Sequence, residues 1–188
     1  MPRLSRTILF SLLLSPVLAH SALANVSLPI PFTAQAPLGQ WSTQPWADAC
    51  EESVTIMVNH FYNGNNSSKL STSVAMSDMN KIVTIENRLF GFNKDTNAEQ
   101  MAEVINQYLP YRATVIPYPS LKDIKSELDA GRPVIALTAG KALKNPHFRG
   151  SGPDYHTLVI KTTRLRALLR LSQAQPAALT IGTLMIHL

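Results

Sequence analysis

The sequence holds a single cysteine, Cys50, and five histidines. A thiol and an imidazole are together enough for nucleophilic chemistry: the thiolate attacks a carbonyl while the histidine holds and returns the proton. Cys50 follows Asp48, and Asp48 with Glu51 has the i, i+3 spacing of a capping box with Asp in place of Ser. With Asp48 as the cap, Cys50 falls at the second position of a helix. There, unpaired backbone N–H groups and the positive end of the helix dipole favour thiolate. Glu51 and Glu52 flank the thiol and oppose ionisation unless they point to solvent, as their helical positions allow. His156 stands before the run Thr157-Leu158-Val159-Ile160, after the loop Asn145 to Tyr155, so a strand would present it. The plain reading of Cys50 is a small buried hydrophobe. His60 and His147 are expected to serve packing or solvent contact, and Met76 and Met79 to fill core. Trp41 and Trp46 are expected to pack a loop on the helix, with substrate contact as a second role.

The elements that must position this pair read as helices first and strands last. Val54, Met57, Val58 and Phe61 give the Cys50 helix a buried stripe, and Asn63-Gly64-Asn65-Asn66 ends it. A second helix is predicted over 71–89. Thr96 with Glu99 caps a third, with Met101, Val104, Ile105 and Tyr108 inward. Ser120 with Asp123 caps a fourth, closed by Gly131. Short strands are predicted at 113–118, 133–137 and 157–160. That order implies an α+β domain, with helices packed on an antiparallel sheet.

Charge argues against a nucleic-acid partner. The formal balance is +5, from 17 basic and 12 acidic residues. The excess sits in residues 1–24 and 161–188, while residues 25–160 hold 11 basic and 12 acidic side chains. A binding face needs clustered Lys and Arg. Residues 1–24 read as a secretory signal peptide: Arg3 and Arg6, an apolar core from Ile8 to Leu18, then Ala22-Leu23-Ala24 for cleavage. Pro16 and His20 interrupt the apolar run before the roughly 20 residues that a membrane anchor needs. The expected mature protein starts at Asn25 and is exported, to the periplasm or beyond, without stable membrane insertion. One cysteine allows no internal disulfide there. Neither metal-ligand spacing, a phosphate-binding glycine loop nor a cofactor motif is present in the sequence.

Two local motifs carry a resemblance. Phe32-Thr33-Ala34-Gln35-Ala36-Pro37, Trp41 and Asp48-Ala49-Cys50-Glu51-Glu52-Ser53 form the first. Gly131-Arg132-Pro133-Val134-Ile135, Asn145-Pro146-His147-Phe148 and Gly152-Pro153-Asp154-Tyr155-His156 through Lys161 form the second. In this order, about 100 residues apart, they resemble the exported papain-like cysteine peptidases of bacteria, relatives of the bacteriocin-processing, double-glycine leader peptidases. The resemblance covers about residues 28–161. It implies a papain-like fold, a peptide or protein substrate and no cofactor. It makes Cys50 the nucleophile, His156 its base and ion-pair partner, and Gln35 the side-chain donor to the oxyanion hole beside the Cys50 N–H. Gln44, six residues before Cys50, is the rival for that last role. A non-catalytic binding module on the same fold, and acyl or amide transfer through the same thioester, are the alternative functions.

The pattern breaks after Lys161. The family continues with Gly-Tyr-Asp, a further strand, and an Asp or Asn that orients the histidine. Residues 157–188 contain no Asp, Asn or Glu. Residues 162–188 therefore read as a divergent tail, either a frameshift product or a genuine ending with a short helix over 165–171. The expectation is a sheet left incomplete at its C-terminal part, with the edge beside 157–160 exposed and the third member of the triad missing.

Overall fold

The computed structural model describes residues 25–146, 148, 150–164 and 183–187. Four helices come first: α1 (Cys50–Tyr62), α2 (Thr72–Phe90), α3 (Ala98–Tyr108) and, after strand β1 (Arg112–Ile116), α4 (Leu121–Asp129). Strand β2 (Val134–Ala139), a 3-10 turn at Gly140–Leu143, β3 (Tyr155–Ile160) and β4 (Thr183–His187) complete the order. The sheet runs β1-β4-β2-β3 with every pair antiparallel.

The caps explain most helix boundaries. The Ser71 side chain accepts from the Val74 N–H at the start of α2, and Gly91 (φ 79°) ends it. Ser120 and Asp123 form the expected box on α4, and Gly131 takes the left-handed turn after it at φ 78°. On α3 the box is Asn97 with Gln100, one residue after the expected Thr96 with Glu99. Thr96 is instead buried, and its hydroxyl donates to Glu86 Oε1 at 3.5 Å.

α1 departs most from expectation. Its N-cap is Ala49, with no side-chain cap bond, so Cys50 is the first helical residue rather than the second. Asp48 does not cap because its carboxylate is taken by Gln44 Nε2 at 2.5 Å and lies 3.9 Å from Lys94 Nζ. The buried stripe is also too narrow a description. Every residue from Cys50 to Val58 is buried, because this helix is packed on all sides. One side, with Val54, Met57 and Val58, joins the core over Val134–Leu137 of β2 with Ile105, Ile124 and Leu128. The other, with Ile56, packs on Met79 and Ile82 of α2 and Val104 of α3, where Trp46 also sits and Met76 packs at the margin.

The tail supplies what was not expected. β4 lies between β1 and β2, with Ala113 opposite Ile186 on one side and Ile135 opposite Leu184 on the other. Its sequence, Thr-Leu-Met-Ile-His, has the apolar and β-branched residues of a strand. Among the described residues, β3 pairs along its length only with β2. The expected helix over 165–171 and the signal segment 1–24 lie outside the described residues.

Candidate active site

Cys50 and His156 line one cleft, with Gln35 also in its wall. The cleft has a volume of about 980 Å³. It lies between the start of α1, the end of the 33–48 loop and β3. Trp41, 44% exposed, and Phe32, 54% exposed, stand at its rim, so Trp41 faces the cleft while Trp46 is buried in the core.

The Cys50 thiol is 6% exposed and donates to Glu51 Oε2 at 3.0 Å. Burial first, then the Glu51 charge and the bond to it, push its pKa well above the ordinary thiol range; Thr157, through its main-chain N–H and hydroxyl, works the other way. The thiolate expected from the helix dipole is therefore opposed by the residue next to it. Glu51 and Glu52 do not face solvent. Both are fully buried, since no side of this turn of α1 is wet.

His156 sits second in β3, and its carbonyl accepts from Thr138 Oγ1 at 2.8 Å. Its ring meets Phe148 edge-on at 5.1 Å, and burial lowers its pKa, so the neutral imidazole is the resting form. Among the described residues the ring has no hydrogen-bond partner. Gly140 keeps this corner tight: a Cβ there would lie 2.7 Å from the Pro153 carbonyl oxygen and 3.2 Å from His156 Cβ.

Gln35 is placed in the cleft wall with its amide already engaged. Nε2 donates to the carbonyls of Trp46 at 3.2 Å and Ala47 at 3.0 Å, which ties down the turn leading into Cys50. Gln44 bonds Asp48 and is not in the cleft lining. His60 is structural, bound to Asp78 Oδ2 at 2.9 Å. His147 lies outside the described residues.

Sequence reasoning missed an acid cluster behind the thiol. Glu51, Glu52 and Glu86 are all buried, and one carboxyl oxygen of each has no partner. Asn93 Nδ2 donates to Glu52 Oε1 at 3.1 Å, and among the described residues no ion pair joins the three to a cation. Burial raises Glu51 to about 8 and also raises Glu52 and Glu86, the latter further through the Glu52 charge. Three carboxyls this dry cannot all ionise together. The only sequence signal was Glu86 on the inner side of α2, in step with Met79 and Ile82. Among the described residues no group of three His, Cys, Asp or Glu is arranged to hold a metal ion, and no described helix is long and apolar enough to cross a membrane.

No protein-family model and no curated protein matches the chain. Among solved structures, a protein described as a C39-like peptidase from Bacillus anthracis is similar, at 14% identity with a TM-score of 0.56. The similarity covers 87% of this chain and 97% of that one. The chain has a papain-like α+β fold. An early helix carrying the thiol, packed beside a late strand carrying the histidine, is the placement on that fold from which the functional reading starts.

Proposed function

We propose that the protein is an exported thiol hydrolase acting on peptide bonds, with Cys50 as nucleophile and His156 as proton carrier. The observation that supports this is the shared cleft, which brings to one surface the only thiol in the chain and an imidazole that burial keeps neutral. In the proposed reaction the Cys50 proton passes to His156 as Sγ bonds the peptide carbonyl carbon. His156 then gives that proton to the departing amine as the C–N bond breaks, leaving a thioester. Water attacks the thioester, His156 takes its proton, and the carboxylic acid leaves as Cys50 is restored. The Cys50 N–H, at the start of α1, meets the oxyanion. Gln35 serves as a positioning residue, through the Trp46 and Ala47 carbonyls.

With His156 unoriented and the thiol held protonated by Glu51, turnover is slow at neutral pH and rises toward alkaline pH. The same two features favour the second reading, a binding module that keeps the fold without turnover. Hydrolysis of a labelled, unfolded protein by residues 25–188, with Cys50→Ala as control, separates the two. Activity that Cys50→Ala abolishes supports the hydrolase, and its absence across the alkaline range supports the binding module. Export follows from residues 1–24, and N-terminal sequencing of exported protein is expected to begin at Asn25. A chain still starting at Met1 would contradict it.

A further inference from the structure

Among the described residues, the edge of β3 is occupied at both ends and open in the middle. Strand residues alternate in the direction their N–H and C=O groups point within the sheet. The Gly140 N–H bonds the Asp154 carbonyl at 3.2 Å, which puts the even-numbered residues of this segment toward β2. The odd-numbered ones face outward. Lys161 accordingly accepts from the Leu28 N–H at 2.8 Å, and the Thr163 N–H donates to Val26 at 3.0 Å. At the other end, the Thr157 N–H is directed at Cys50. Between these lies Val159, whose N–H and C=O face outward with no partner among the described residues.

The chain itself leaves this position open. Residues 26–28 run antiparallel beside 161–163, with Ser27 opposite Thr162. The segment then leaves the edge at Pro29: the Ile30 N–H turns back to the Leu28 carbonyl at 2.8 Å, and Pro31 has no N–H to offer. Its departure is fixed by Lys161 Nζ, which donates to the Ile30 carbonyl at 3.1 Å. The cleft continues into this gap, from Cys50 and Thr157 along Leu158 and Val159, with Ile30 and Phe32 opposite.

We propose that an extended peptide fills this gap, adding antiparallel to β3 and exchanging both main-chain hydrogen bonds with Val159. Antiparallel to β3, its N-to-C direction leads from the Lys161 end to Cys50. The bound segment is then the one upstream of the attacked carbonyl, and the residue opposite Val159 lies two before the one at Thr157. Recognition through main chain asks for an extended segment and tolerates varied side chains. This rests on the reading of the cleft as a peptide site.

The test compares alkylation of Cys50 by acetyl-tetraalanyl chloromethyl ketone and by chloroacetamide, at alkaline pH, using residues 25–188. Val159→Pro removes an outward N–H, which an edge strand tolerates, and trims a side chain that packs at the margin of the core. The variant is expected to keep the chloroacetamide rate and to lose about tenfold in the peptidyl rate, the scale of one main-chain hydrogen bond. On the wild type, N-methylation of the alanine two before the ketone-bearing one is expected to cost a similar factor, and this arm holds even if the variant does not fold. Equal peptidyl rates with and without the N-methyl group would overturn the proposal. Both arms need only an alkylatable thiol, so the hydrolase reading fails separately, on hydrolysis that survives Cys50→Ala.

Discussion

Cys50 Sγ lies 3.0 Å from Glu51 Oε2, so the nucleophile of the proposed reaction rests on the carboxyl of its own neighbour in sequence. Glu51 acts here as a brake, since its charge and its hydrogen bond both raise the thiol. Glu51→Gln is expected to move the midpoint of the pH–rate curve for Cys50 alkylation downward. An unchanged midpoint would show that burial alone holds the thiol protonated.

The buried acids make stability depend on pH. A carboxyl raised on folding stabilises fully below its unfolded pKa, and that contribution is lost as pH rises through the folded value. For Glu51 the window runs from 4.5 to about 8, and Glu86 is shifted in the same direction. Melting temperature is expected to fall from pH 5 to pH 8. Glu86→Gln should flatten that slope, raising the melting temperature at pH 8 above that of the wild type. A slope identical in the two proteins would contradict the cluster's role.

Gln35→Ala removes two hydrogen bonds that hold the turn before Cys50. The expected loss is about 1–3 kcal/mol in stability, read as a lower melting temperature alongside lower hydrolysis. A fall in kcat of about 10²–10³ with melting unchanged would instead identify a direct oxyanion donor.

Among the described residues β4 is the sole strand partner of β1, and it separates β1 from β2. Ending the chain at Arg164 should therefore remove the cooperative thermal transition expected of residues 25–188. A truncated chain that melts cooperatively at the same temperature would mean that β4 contributes nothing.

The sequence was informative where structure is local. Ser71, Ser120 and Gly131 mark helix ends through bonds made within a few residues, and those boundaries agree with expectation. Asn97 displaced Thr96 as a cap because Thr96 had a distant partner in Glu86. The burial of Glu51 and Glu52 was not legible for a similar reason: it depends on α2, α3 and the sheet closing round the first turn of α1. β4 was hidden because its partners, Ala113 and Ile135 among them, are remote in sequence and no turn motif announces it. Cys50 and His156 were legible as a pair because Cys50 opens a helix and His156 stands at the start of a strand, second in β3. The engaged amide of Gln35 was not, since its acceptors are main-chain carbonyls.

The proposal that Cys50 is a peptidase nucleophile is tested most directly by following hydrolysis of fluorescein-labelled casein from pH 6 to 10 by residues 25–188, wild type and Cys50→Ala. The account predicts a slow activity that climbs with pH as the buried thiol ionises and that vanishes in Cys50→Ala. Hydrolysis equal in the two proteins, or none in the wild type at any pH, would contradict it.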